Sequence, residues 1–196
     1  RLHAFAAHYY CGTAGAATEY TNDEWYHLLW RSLEMEPLVK RQRAAMDSFD
    51  PERHIGLIVD EWGTWHPPAQ GRNPAYLWQQ NTVRDALAAA LTLDIFNRHA
   101  DKVVMGNIAQ TINVLQAMVL TDGPKMIVTP TYHVYDMYKA HQGGQSVHAA
   151  FEAESIAFRA KDKEQKLPGL AGSASVKNGV LTLSVVNTHA LDPVEA

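Results

Sequence analysis

One cysteine, Cys11, is all that 196 residues supply, which excludes an internal disulfide framework and a cysteine-rich zinc site. A lone thiol of this kind is expected to pack as a small buried filler. No apolar run reaches the roughly 18 residues needed to span a bilayer, and no charged-then-apolar leader opens the sequence, so a soluble chain with no membrane partner is expected. Basic clusters are missing as well: 17 Lys and Arg are scattered among 21 Asp and Glu, for a formal charge of -4. With no basic face to neutralise a phosphate backbone, nucleic acid is excluded as a partner, and a neutral, sugar-like substrate fits better. There is no His-Glu-x-x-His helix and no Gly-x-Ser-x-Gly elbow, and His133, His141 and His148 stand seven or eight residues apart. Gly169, Gly172 and Gly179 do not lead a strand into a helix, so they build no phosphate cradle. No metal and no cofactor is expected.

What the sequence does have is 46% apolar residues, enough for a sizeable core. Leu2 to Tyr10 is a short apolar strand that empties into a glycine-containing loop, Cys11 to Thr21. Asn22, with Asp23 and Glu24 behind it, reads as a helix cap with an acidic first turn, and Trp25, Leu28, Leu29, Ser32 and Leu33 fall on one face of that helix. Pro37 kinks or restarts it. The strand Ile55 to Val59 is a continuous apolar run, as expected of a parallel strand covered on both faces, and ends at Asp60 and Glu61. A long irregular loop, Trp62 to Gln80, precedes a helix over Thr82 to Arg98 and a strand beginning at Val103.

Strands alternating with helices, with polar residues gathered after each strand, predict the last part of a (β/α)8 barrel; a doubly wound sheet is the alternative. After about Gly144 the period changes to short β-like stretches, with Asn178-Gly179 as a hairpin turn. The boundary is placed near residue 140, giving 1–140 as the C-terminal part of a barrel and 141–196 as part of an all-β sandwich. Tyr132, Tyr135 and Tyr138 at helical spacing read as a packing stripe at the junction, and Lys161 to Lys166 as a solvated loop or linker. The abrupt strand at the start, and a last strand that stops nine residues from the end, make both termini read as cut.

The informative segment is Val59-Asp60-Glu61-Trp62-Gly63-Thr64-Trp65-His66, an apolar strand delivering two acids and then two tryptophans. A carboxylate between low-dielectric walls acts strongly on a developing cation, and an indole offers a flat face to a sugar ring. Side-chain alternation predicts that only one of Asp60 and Glu61 faces the site. The bland reading is an ion pair closing the strand, with Arg53 or Arg84 as partner. His66 reads as a loop residue at the mouth of the pocket.

Asp60-Glu61-Trp62 followed by Trp65 resembles the nucleophile motif of the retaining α-L-arabinofuranosidases, family fifty-one of the glycoside hydrolases. His8-Tyr9-Tyr10 resembles the aromatic end of that family's sixth barrel strand. His99-Ala100-Asp101 is similar to the segment before its eighth, and Ile108-Ala109-Gln110 with Asn113-Val114 to the segment after it. The resemblance implies that Glu61 is the catalytic nucleophile and that Tyr10, rather than Tyr9, hydrogen-bonds to it. It also implies that Gln110 binds the sugar hydroxyls, that Trp65 forms an apolar wall and that His8 supports the site from behind.

Retaining glycosidases need a second carboxyl group about 5 to 5.5 Å from the first. In the resembled family it is a Glu preceded by Asn, and no Asn-Glu dipeptide occurs here. Glu19, Asp23, Glu24, Glu34 and Glu36 fall in a loop or on a helix surface, so the acid/base is expected upstream. The expected function is exo-acting release of terminal arabinofuranosyl units from arabinan or arabinoxylan oligosaccharides. Rivals are another retaining barrel glycosidase, such as a xylosidase or endo-glucanase, and a non-catalytic carbohydrate-binding barrel. The resemblance also implies a possible homo-oligomer and a cytoplasmic location.

Overall fold

The computed structural model describes residues 2–12 and 14–194 and is mixed α/β. Arg1, Thr13 of the expected Cys11–Thr21 loop, and the last two residues of the expected β region lie outside the described residues. Strands β1 (Ala4–Cys11), β2 (Gly56–Thr64) and β3 (Val103–Ile108) form a parallel sheet in that order. β2 runs three residues beyond Glu61, through the start of what the sequence presents as a loop.

Helices α1 (Asn22–Leu33), α2 (Met35–Asp47) and α3 (Val83–Arg98) make the crossovers. The cap of α1 is Thr21, one residue before the Asn22 expected: its hydroxyl accepts from the Glu24 amide at 3.2 Å, and the Glu24 carboxylate accepts from the Thr21 amide at 2.7 Å. Pro37 sits in the first turn of α2, where a missing N–H breaks no helical bond, so the chain restarts there rather than kinking. One core cluster joins Met35 and Val39 of α2, Leu57, Val59 and Trp62 of β2, and Ala89, Ile95 and Phe96 of α3.

Beyond β3 comes a hairpin that the sequence reading did not anticipate, β4 (Val119–Asp122) and β5 (Lys125–Val128), turning at Gly123-Pro124 with Gly123 at φ 54°. Helix α4 (Pro130–Tyr138) follows. Tyr135 stacks on Trp62 and Tyr138 donates to the Ala90 carbonyl at 3.2 Å, so two of the three tyrosines pack as expected, while Tyr132 stays partly exposed.

The remaining strands are β6 (Gln145–Val147), β7 (Ser155–Ala160), β8 (Lys163–Pro168), β9 (Leu170–Lys177) and β10 (Val180–Asn187). They form an antiparallel sheet, β10-β9-β6, and a β7-β8 hairpin. Asn178 and Gly179 both take positive φ at the β9-β10 turn. The Lys161–Lys166 run is not a linker. Lys161 is the positive-φ tip of the β7-β8 hairpin, and the strand that follows buries Leu167 completely while its charged neighbours face outward.

Phe158, Leu167 and Val186 share a core with Leu29 of α1 and Ala86, Ala90 and Leu91 of α3. Polar ties cross the same seam: Trp25 Nε1 donates to the Thr188 carbonyl at 3.0 Å, and Arg98 donates to the Gly172 carbonyl at 2.9 Å. The Asp94 carboxylate accepts from the Ser173 and Ser184 hydroxyls at 2.7 and 2.6 Å. Among the described residues no helix is long and apolar enough to cross a membrane.

Two predictions test this packing. A Cβ at Gly172 would meet the Ser184 carbonyl oxygen and the Phe151 ring, so Gly172→Ala should lower stability by about 1–3 kcal/mol in chemical denaturation. Burial pushes the Asp94 carboxyl above the ordinary Asp range, despite hydrogen bonds from Ser184 and Ser173 that favour the anion. The folded state then holds that proton more tightly than the unfolded chain, so stability is fully present at acid pH and falls as pH rises from about 4 through the raised value. Asp94→Asn should flatten that part of the stability-versus-pH curve.

Candidate active site

The geometry of the strand ends follows from one extra residue. β1 and β2 stay in register through Ala7 and Val59, but His8 then pairs with Glu61, leaving Asp60 as a bulge. Before the bulge Leu57 and Val59 face the helices; after it Trp62 does, buried against Phe96 and Tyr135. Val59 and Trp62 are three residues apart, so a regular strand would put them on opposite faces, and Glu61 would point into the helices. With the bulge, Asp60 and Glu61 both lie on the open face. The expectation that only one of them could face the site is corrected by this insertion.

His8 bridges the pair, its Nε2 at 3.0 Å from an Asp60 oxygen and its Nδ1 at 3.3 Å from Glu61 Oε2. The Tyr10 hydroxyl donates to Glu61 Oε1 at 2.6 Å. Burial and that bond to the carboxylate push the Tyr10 phenol above its ordinary range, so it stays a donor at neutral pH. Tyr9, the alternative, points the other way and donates to the Arg31 carbonyl at 2.6 Å. Trp65 meets the Tyr10 ring edge-on at 5.0 Å between centroids and keeps part of its indole exposed. Neither arginine of the bland reading touches these acids. Arg53 pairs with Asp47 and Asp101, and Arg84 is buried, donating to the Ala14 and Ala16 carbonyls beneath the Tyr20 ring.

Beneath Trp65 lies a buried polar network that sequence reasoning missed. Asp85 Oδ1 accepts from Thr64 Oγ1 and meets His66 Nε2, both at 2.7 Å, while its Oδ2 takes the Thr82 amide at 2.7 Å. Gln116 Oε1 accepts the Thr64 amide, and Gln79 Oε1 accepts the His66 amide, each at 2.9 Å. The backbone is therefore gripped on both sides of Trp65. Burial works against the Asp85 anion, but the His66 and Thr64 contacts and the Thr82 amide win and hold its carboxyl below the usual range. His66 is accordingly buried, not at a pocket mouth, with its Nε2 against Asp85. The Thr82-x-x-Asp85 capping pattern that starts α3 was the available signal for Asp85.

Four of the five expected residues thus meet: His8, Tyr10, Glu61 and Trp65. Gln110 follows β3 at the same end of the sheet, just after Ala109 donates to the Trp62 carbonyl at 2.9 Å. Its side chain has no hydrogen-bond partner among the described residues, and it lines an open pocket of about 1160 Å³ between segment 72–81 and the β4-β5 hairpin. Asp122 is the one acid among the residues lining that pocket, whereas Glu61 has the oriented Tyr10 donor. Of the acids set aside, Glu36 is not simply solvated. It is held by Lys40, Arg98 and His99 far from the strand ends.

Residues 60–192 match the family model described as the alpha-L-arabinofuranosidase C-terminal domain. The chain is 38% identical over 196 aligned positions to an intracellular exo-alpha-L-arabinofuranosidase of Bacteroides ovatus, covering 97% of this chain and 38% of that protein. It is 31% identical over 147 positions to a probable alpha-L-arabinofuranosidase C of Aspergillus niger, covering 71% of this chain and 28% of that one. Among solved structures, the GH51 arabinofuranosidase of Xanthomonas axonopodis pv. citri superposes with a TM-score of 0.86 at 42% identity, over 96% of this chain and 38% of that one. The family-fifty-one enzyme of Bifidobacterium longum, at 22% identity and a TM-score of 0.78, shares the fold. The chain spans little more than a third of the length of the relatives it matches best among these. It belongs to the alpha-L-arabinofuranosidase family, and the segment that carries Glu61 and the strands after it is that family's C-terminal domain.

Proposed function

We propose that this chain is the C-terminal part of a retaining, exo-acting α-L-arabinofuranosidase that releases terminal arabinofuranosyl units from arabinan or arabinoxylan oligosaccharides, with Glu61 as nucleophile. The observation that carries it is the Tyr10 hydroxyl 2.6 Å from Glu61 Oε1 beside an exposed indole, on the open face of a parallel sheet. In this reading β1, β2 and β3 are the last strands of a (β/α)8 barrel whose missing strands would close over that face. Residues 1–140 are then its C-terminal part, and 141–196 part of a sandwich.

Glu61 attacks the anomeric carbon as the glycosidic bond breaks, and a second carboxylic acid protonates the departing oxygen. Tyr10 holds Glu61 Oε1 through a charge-assisted hydrogen bond and His8 stands 3.3 Å from Oε2, so the carboxylate is oriented from both oxygens for attack. His8, shared between Asp60 and Glu61, keeps the two acids apart on one imidazole and so limits their mutual repulsion. Trp65 supplies a flat wall to the furanose, fixed by the clamps on Thr64 and His66. Gln110 has free amide groups for the sugar hydroxyls. The acid/base Glu lies in the upstream barrel half. The Bacteroides ovatus relative is an intracellular exo-alpha-L-arabinofuranosidase, which supports a cytoplasmic site of action.

Three outcomes test this reading. The chain alone should hydrolyse aryl arabinofuranosides at least about 10²-fold more slowly than the full-length enzyme, because leaving-group protonation is missing. In the full-length enzyme Glu61→Gln should lower kcat by about 10³-fold or more. Tyr10→Phe should lower kcat by about 10- to 100-fold with KM nearly unchanged, the worth of one hydrogen bond to a charged group. Free arabinose as the product from short branched oligomers separates this activity from that of a xylosidase or endo-glucanase. Undiminished turnover by Glu61→Gln would sink the proposal.

A further inference from the structure

Gln116 has no place in the chemistry at Glu61, yet its side chain is fully buried where three elements meet. Its Oε1 accepts the Thr64 amide at 2.9 Å, and its Nε2 donates to the Asp85 carbonyl at 2.7 Å and to the Thr131 hydroxyl at 3.1 Å. Those partners lie at the end of β2, in the first turn of α3 and in the first turn of α4. The amide can be seated in one way only, because the Thr64 N–H offers a proton and the Asp85 carbonyl offers none. The last residue of β2 to pair with β3 is Trp62, opposite Ile108, so the Thr64 amide has no strand left to bond on that side. Gln116 supplies the missing acceptor. An apolar side chain in its place would leave a buried N–H unpaired.

The backbone of Gln116 ends the loop that begins at Gln110. Within that loop the Gln110 amide donates to the Val114 carbonyl at 3.4 Å, and the Leu115 amide reaches out to the Leu77 carbonyl at 2.8 Å. The loop is folded on itself, and its last residue is fastened to the strand that carries Trp65. Gly63 marks how closely the parts approach. It takes φ 148°, and a Cβ there would stand 3.2 Å from Gln116 Oε1 and 3.7 Å from the Ala109 carbonyl oxygen. The strand end, the Gln116 amide and the residue before Gln110 are thus packed without room for a side chain between them.

We propose that Gln116 is a positioning residue for the glycosidase reaction. Its side chain fixes the strand end at Trp65 and its backbone closes the loop of Gln110, so that the aromatic wall and the hydroxyl-binding amide keep one spacing around the sugar. This rests on the function proposed above. Trp65 and Gln110 follow different strands, and the last ladder bond between those strands, from the Ala109 amide to the Trp62 carbonyl at 2.9 Å, comes before either of them. Beyond that bond the Gln116–Thr64 contact carries the connection directly. Its other two bonds tie the same amide to α3 and α4, which gives both contact residues a common rigid base. Such placement matters to rate, since a displacement of about 1 Å in a group that positions the substrate costs on the order of 10²-fold.

The test is a double-mutant cycle in the full-length enzyme. Gln116→Met keeps a similar length without the amide and should lower kcat/KM on an aryl arabinofuranoside about 10- to 100-fold. Thr131→Val removes one of the three bonds at nearly constant shape and should cost about two- to fivefold, which provides a variant that folds if Gln116→Met does not. A positioning role acts through Trp65 and Gln110, so in a Trp65→Ala or Gln110→Ala background each substitution should cost less than about half as much on a logarithmic scale. A merely structural role would cost the same factor in every background, and that additivity overturns the proposal. Hydrogen exchange read by mass spectrometry checks the coupling without reference to turnover. Segments 62–66 and 109–117 should both exchange faster in the two variants while β9 and β10 are unchanged. Acceleration in one of those segments alone, in neither, or throughout the protein counts against Gln116. If Glu61→Gln proves fully active the proposed function fails, and the exchange result still decides whether Gln116 joins the two segments.

Discussion

The bulge at Asp60 decides what the strand ends can do. Strand side chains alternate with a period of two, so every residue after an inserted one changes face. Here the change sends Trp62 into the helices and turns Glu61 toward His8 and Tyr10. The apolar residues of β2 and its acids are thereby both satisfied: a core that accepts a large indole, and an open face that accepts two carboxylates bridged by one imidazole. Without the insertion the same sequence would bury a carboxylate between Val59 and the α3 helix, at a cost of several kcal/mol.

The bulge sets a direction, and the buried network around Asp85 fixes a position. Thr64 and His66 are held through both backbone and side chain, so Trp65 between them has little freedom in its main chain. The carboxylate doing this sits at the first turn of α3, where it also caps the helix through the Thr82 amide. One buried charge therefore starts a helix and ends a strand. Its desolvation is offset because every bond it accepts is made in a place that water does not reach.

Much of this was legible in the sequence. The parallel strands announced themselves as continuous apolar runs, α3 by its helical period, and the Asn178-Gly179 turn by the two residue types that tolerate positive φ. The two acids and two tryptophans at the end of β2 marked a sugar site by residue order alone, and the family resemblance picked out Glu61, Tyr10, His8 and Trp65. The rest was hidden for definite reasons. A bulge depends on pairing with a strand some fifty residues away, and periodicity within one strand does not reveal it. Asp85, Gln79 and Gln116 are polar residues that look solvated until tertiary contacts bury them. The Lys161–Lys166 segment misled because five of its six residues are charged and exposed, and what shows it to be a hairpin, its pairing with β7 and the burial of Leu167 just after it, is tertiary. The β4-β5 hairpin was missed although Gly123-Pro124 is a turn signal, because its strands are short and largely exposed.

Helix α3 carries Asp85 at one end and Asp94 toward the other, each a buried carboxylate serving a different neighbour. At about 100° per residue, the nine positions between them amount to two and a half turns, which places the two acids on opposite sides of the helix. Their separation acts as a phase lock. Adding or deleting one residue between them would swing one carboxylate about 100° away from its partners, so length variation among related chains should be found in the hairpin tips and in segment 67–76, and not within this helix.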